Sequence, residues 1–170
     1  MPRDFQRAKV YAAEHASPDG PAFFSLFGMQ TFVDRITRTR FWRKRAALRY
    51  WSITCALYIP AKAESLDIWA DRRQSKIWIA RSKKSDAPIP VSEEELIHEL
   101  SHFIATPGHG PDFVRALLDM TRRFHSMPTR ARALSERLVD NGVVVKPAYR
   151  GAVAGTVKRH RRTTSKKTRK

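Results

Sequence analysis

The sequence predicts an α+β fold: a small antiparallel sheet of about three strands packed against a central helix, with flanking helices and a basic tail. Three observations carry that expectation. Residues 90–113 (PVSEEELIHELSHFIATPGHGPDF) begin with a helix-capping pattern and continue with apolar residues at helical spacing. Three earlier segments are short and rich in Trp, Tyr, Ile and Thr, as strands are. After Lys146 the composition turns abruptly basic, which divides the chain into a domain over residues 1–146 and a disordered tail over 147–170.

Taken in order, residues 3–15 read as a short helix ended by the turn signal Ser17-Pro18-Asp19-Gly20-Pro21. A second helix is predicted over residues 29–38, where Met29, Phe32, Val33 and Ile36 share a face. Phe23, Phe24 and Phe27 just before it are expected to pack in the core. Residues 35–49 carry seven Lys or Arg and no acid, with Phe41 and Trp42 interleaved. That pattern suits either a phosphate-tracking strip with stacking aromatics or a solvated helix end whose aromatics turn inward. Residues 47–58, 65–70 and 76–80 read as strands, with hairpin turn chemistry over 71–75. The segment at 76–80 is the predicted edge strand, able to hold an extended peptide by adding it to the sheet.

Ser92 and Glu95 form the capping box of the next helix, Val91 and Leu96 suit a hydrophobic staple, and Glu93 to Glu95 oppose the positive end of its dipole. Leu96, Ile97, Leu100, Phe103 and Ile104 give it a broad apolar face, and Pro107-Gly108 stops it. A further helix opens at Gly110-Pro111, with Phe113, Leu117, Met120 and Phe124 on one face. Another runs over 128–140 with Leu134 and Leu138 inward, ended by Asn141-Gly142. Met127 between them is expected to pack, and residues 143–145 to add a strand or tuck under the core.

The chemistry concentrates on the capped helix. His98, Glu99 and His102 spell H-E-x-x-H, and residues four apart on a helix lie on one face. Two imidazoles can therefore meet one ion, beside a carboxylate free to move protons. A catalytic zinc needs three protein ligands and an open position for water. His109, seven residues after His102 and past the Pro-Gly break, is the preferred third ligand, with Asp112 and His125 as rivals. A closed structural zinc site would usually draw on cysteine, and Cys55 is the only one.

HELSH followed by HGPDF resembles the zincin-like metallopeptidases, in particular the small metallohydrolases of actinobacteria and their phages, and more distantly SprT-like proteins. The opening RDFQRAKVYAAE at residues 3–14 looks like the start of the same group, so the resemblance spans about residues 3–145. It implies a zincin-like fold, zinc on His98, His102 and His109, and Glu99 as general base. The metzincin pattern is not matched, because Ala105 replaces its glycine and the third His falls one residue late.

The net charge of +17 predicts attraction to polyanions. Lys158, Arg159, Arg161, Arg162, Lys166, Lys167, Arg169 and Lys170 form the candidate arm for non-specific DNA or RNA binding, or else a solubilising tail. A single cysteine, no membrane-length apolar run and no signal-peptide pattern lead to the expectation of a cytoplasmic protein without a membrane partner. The expected function is zinc-dependent hydrolysis of a peptide or protein. The alternatives are a nucleic-acid-binding protein on a non-proteolytic zincin scaffold, or a metal-dependent hydrolase of a non-peptide substrate.

Overall fold

A computed structural model describes residues 4–15, 21–60, 67–82 and 86–146. The basic arm at 158–170 lies outside the described residues, as does the start of the segment expected to be a strand at 65–70. The first helix, α1 (Arg7–His15), buries Val10, Ala13 and Glu14. Strand β1 (Ala22–Phe23) leads into α2 (Leu26–Thr37), whose N-cap Ser25 accepts a hydrogen bond from the Gly28 amide at 3.1 Å. That cap starts α2 three residues earlier than apolar periodicity suggests, while Met29, Phe32, Val33 and Ile36 are buried as expected.

Of the three phenylalanines expected in the core, only Phe23 packs inward, 5.2 Å from Phe32. Phe24 and Phe27 are 72% and 83% exposed. Phe24 follows the end of β1, outside its pairing with β5, and turns to solvent. Phe27 lies about 160° around the helix from Met29, at 3.6 residues per turn, hence on the outer face.

Helix α3 (Arg40–Arg45) buries Trp42, whose indole N–H donates to the Tyr50 carbonyl at 2.8 Å. Phe41 packs on Phe124 with Arg45 and Arg123 over its ring. The aromatics of this basic stretch are thus engaged by the protein itself. Residues 48–50 form a single helical turn with Tyr50 buried, so the strand expected from residue 47 begins only at Thr54.

Strands β2 (Thr54–Tyr58), β3 (Ile68–Asp71) and β4 (Lys76–Ala80) form a sheet of order β2-β4-β3. The β3–β4 hairpin is antiparallel, with Asp71 Oδ1 accepting the Arg73 and Gln74 amides in its turn. Two expectations fail here. β2 runs parallel to β4, and β4 is the central strand rather than an edge. Its burial explains the second: Ile77, Ile79 and Ala80 are all inside, as suits a strand paired on both sides.

A short strand β5 (Val91–Ser92) pairs antiparallel with β1 and runs directly into α4 (Glu93–Ile104). Both halves of the capping box are present: Ser92 Oγ accepts the Glu95 amide at 3.1 Å, and Glu95 Oε2 accepts the Ser92 amide at 2.7 Å. Glu93 and Glu94 are also buried. Glu94 pairs with Arg130, and Glu93 accepts the Ser126 amide at 2.7 Å, so these acids tie α4 to the far end of the fold.

Helix α5 (Pro111–Phe124) begins with proline at its first turn and packs along α4, burying Phe113, Leu117 and Met120. Helix α6 (Arg130–Asp140) turns Leu134 and Leu138 inward and ends at Gly142, whose φ of +63° explains the glycine. Val143 tucks into the core with no strand at 143–145, whereas Met127 is 46% exposed and does not pack as expected. The described residues form a mixed α+β fold of six α-helices with a two-stranded and a three-stranded sheet. No helix among them is long and apolar enough to cross a membrane.

Candidate metal centre

Helix α4 projects His98 and His102 from one face, and the turn after Pro107 brings His109 back to them. The three residues each offer a ring nitrogen within 4.8 Å of the others, close enough to bind one metal ion. Nε2 of His98 and Nε2 of His109 lie 3.2 Å apart. Phe113, from the first turn of α5, contacts all three rings, its centroid 4.9, 4.4 and 4.7 Å from those of His98, His102 and His109. The return of His109 needs a left-handed residue, and Gly108 supplies it with a φ of +87°. The two rival ligands are elsewhere. Asp112 pairs with Lys146 at 2.7 Å, and the His125 Nδ1 accepts the Met127 amide at 3.0 Å.

Two carboxylates complete the arrangement, and neither was assigned a role from sequence. Both oxygens of Glu14 lie 2.9 Å from His98 Nδ1. Asp4 Oδ2 lies 2.6 Å from His109 Nδ1 and also accepts the His109 backbone N–H at 2.9 Å. An ionised carboxylate only accepts, so each Nδ1 carries the proton and each Nε2 lone pair is left for an ion. Helix α1 is held where it can do this by Arg137 Nε on the Ala13 carbonyl at 2.6 Å and by Gln6, which donates to the His109 carbonyl at 3.2 Å. One signal was present: Glu14 falls four residues after Val10, on the inward face of α1, where an acid requires a partner.

The electrostatics distinguish the three imidazoles. Burial, then the neighbouring His98 and His109, push His102 down to about 2, so it is neutral. Burial also lowers His109, against the opposing bond from Asp4. Burial acts the same way on His98, but the charge of Glu14 and its hydrogen bond outweigh it and raise the pKa. Three crowded imidazoles thus cannot all hold a second proton, and a dication meeting the Nε2 lone pairs of His98 and His109 and a ring nitrogen of His102 would satisfy what protons cannot.

Glu99 is 5% exposed and sits on α4 beside His98. Burial raises its pKa to about 7, opposed by His98 and by a hydrogen bond from the Ala70 backbone on β3. A carboxyl poised near neutrality is suited to take and return a proton. It lines a cavity of about 210 Å³, together with His98, Tyr11 and Ile68. The Tyr11 ring stacks on His98 with centroids 5.2 Å apart, and burial followed by the Glu99 charge raises the Tyr11 pKa.

Of the sequence-derived site residues, His98, Glu99, His102 and His109 are brought together here, while the basic residues from Lys158 to Lys170 lie outside the described part of the chain. Compared with known proteins, the chain matches no family model, no curated protein and no solved structure at a significant level.

Proposed function

We propose that this protein is a zinc-dependent metallohydrolase with a zincin-like fold that cleaves peptide bonds. One observation carries the proposal: three imidazoles converge beside a buried carboxyl, and two of them have Nδ1 fixed by an acid. All-nitrogen donor sets of three histidines suit zinc, and the single cysteine is buried in β2, away from the group. Held by His98, His102 and His109, zinc would supply Lewis acidity and would lower the pKa of water to about 7. The rest falls to the chain. Glu99 takes a proton from the attacking water and returns it to the leaving amine. Glu14 and Asp4 hold the His98 and His109 rings in one tautomer and orientation. The cavity lined by Tyr11 and Ile68 receives the substrate beside Glu99.

Metal analysis and peptide hydrolysis, each on the parent protein and on Glu99→Gln, test this. One equivalent of zinc is expected in both proteins, with turnover reduced about a hundredfold or more in the variant. Full turnover in Glu99→Gln, or in zinc-free protein, refutes it. The net charge of +17 supports a further element, in which the basic arm brings the enzyme to nucleic acid where bound proteins are its substrates. Cleavage stimulated by DNA is then expected, and equal rates with and without DNA count against it.

A further inference from the structure

One face of the first helix is given over to the metal centre. Asp4, Arg7, Tyr11 and Glu14 follow one another at spacings of three, four and three, so they share the side of α1 that meets the histidines. The acids at its two ends hold His109 and His98 by Nδ1. Tyr11 stands between them. Its ring centroid is 5.2 Å from that of His98 and 5.4 Å from that of His109, two rings that are themselves 5.1 Å apart. Tyr11 is half-buried and lines the recess that also holds Glu99. After burial, the charge of Glu99 acts on its hydroxyl more strongly than that of Arg7 or Glu14, as suits an oxygen set towards Glu99. Arg7, whose guanidinium lies 5.6 Å from the Tyr11 centroid, can only donate. Among the described residues no acceptor takes the Tyr11 hydroxyl proton. That proton is therefore available to a group entering the recess.

We propose that Tyr11 is a catalytic residue, its hydroxyl donating a hydrogen bond to the oxyanion that forms when water adds to the scissile carbonyl. The inference deepens the hydrolase proposal and rests on it for the reaction. As Glu99 takes a proton from the attacking water, the new C–O bond forms and the carbonyl π electrons move onto the carbonyl oxygen. That oxygen becomes a stronger acceptor, so a fixed donor beside it favours the transition state over the planar amide. When the C–N bond breaks, the electron pair re-forms the carbonyl and Glu99 gives its proton to the leaving amine. Tyr11 keeps its own proton throughout, and the step balances without it. The contacts of its ring supply the fixed geometry: His98 and His109 hold the phenol plane, and Arg7, one turn earlier, adds positive charge beside it.

Tyr11→Phe removes the hydroxyl and keeps the ring on both histidines, and three readouts test the proposal. Zinc affinity, measured by competition with a chromophoric chelator, is expected to stay within about threefold of the parent, because the ring contacts survive. Hydrolysis of labelled casein is expected to lose about a hundredfold in kcat with KM within about threefold, the loss typical of one oxyanion donor. The third readout needs no turnover. Dimethylphosphinate, a small tetrahedral anion, is titrated into the zinc-loaded full chain and followed by phosphorus NMR. Its Kd is expected to rise about tenfold in the variant, and its binding to the parent to shift the Tyr11 ring carbon that bears the hydroxyl. A fall in zinc affinity that matches the loss of activity overturns the proposal, since Tyr11 then only packs the ligand rings. Should the variant not fold, the parent decides alone, and an unmoved Tyr11 carbon overturns it. A parent that binds dimethylphosphinate through Tyr11 but cleaves no peptide sinks the hydrolase and leaves the donor in place. Casein cleavage and phosphinate binding that are both equal in parent and variant sink Tyr11 and leave the hydrolase.

Discussion

Replacing Glu14 with glutamine probes the centre through a residue that touches no ion. Both Glu14 oxygens lie 2.9 Å from His98 Nδ1, and the side chain is 9% exposed, so the contact is a buried, charge-assisted hydrogen bond. Such bonds are worth about 1.5–3 kcal/mol net. Glutamine keeps the shape and an accepting oxygen but loses the charge that makes the imidazole a better donor to a dication. Carboxylates behind a ligating histidine typically contribute about tenfold to a hundredfold in metal affinity, which is about 1.4–2.8 kcal/mol. Zinc affinity of Glu14→Gln, measured by competition with a chromophoric chelator, is therefore expected to fall within that range, with helix content unchanged by circular dichroism. Affinity within about threefold of the parent, in a protein whose α1 is intact, would show that Glu14 serves packing alone. Asp4→Asn makes a useful contrast. Its side chain is 28% exposed, so solvent screens its charge and a smaller loss is expected.

Two further perturbations test the scaffold of the site. At Gly108 a Cβ would meet a φ of +87° and approach Asp4 Oδ2 at 3.4 Å. Gly108→Ala is expected to cost about 1–2 kcal/mol in urea unfolding and to weaken zinc binding as Asp4 gives way, and no change in either measurement would refute the role assigned to the turn. The zinc-free protein should show opposing pH effects. His102 is lowered from 6.5 to about 2 in the folded state, so only the unfolded chain takes up its proton as pH falls below 6.5, and stability drops. Glu99 is raised from 4.5 to about 7, so the folded chain takes up its proton first, and stability rises as pH falls from 7 towards 4.5. Between pH 6.5 and 4.5 these nearly cancel, each near 1.4 kcal/mol per pH unit. Glu99→Gln removes one side of the balance, so its stability relative to the parent should decline steadily from pH 7 to 4.5. A constant difference between the two urea curves would contradict the burial of Glu99.

The local signals in the chain were strong wherever structure depends on neighbours in sequence. The capping box of Ser92 and Glu95, the stop at Gly108, proline at the start of α5 and the meeting of His98 with His102 all involve residues within a turn or two of one another. Periodicity also placed Met29, Phe32, Val33 and Ile36 inside, although it could not say that Phe27 and Phe24 face out. The tertiary structure decided what period-two alternation leaves open. A strand reads the same whether its neighbour is parallel or antiparallel, central or edge, so the pairing of β2 with β4 and the central place of β4 came only from packing. It also brought Glu14 and Asp4 to the histidines from 84 and 105 residues away. No local pattern encodes such a distance. An acid on the inward face of a short helix signals that it needs a partner, but only the folded chain identifies that partner, because the cost of burying the charge is met by a group the sequence holds far off.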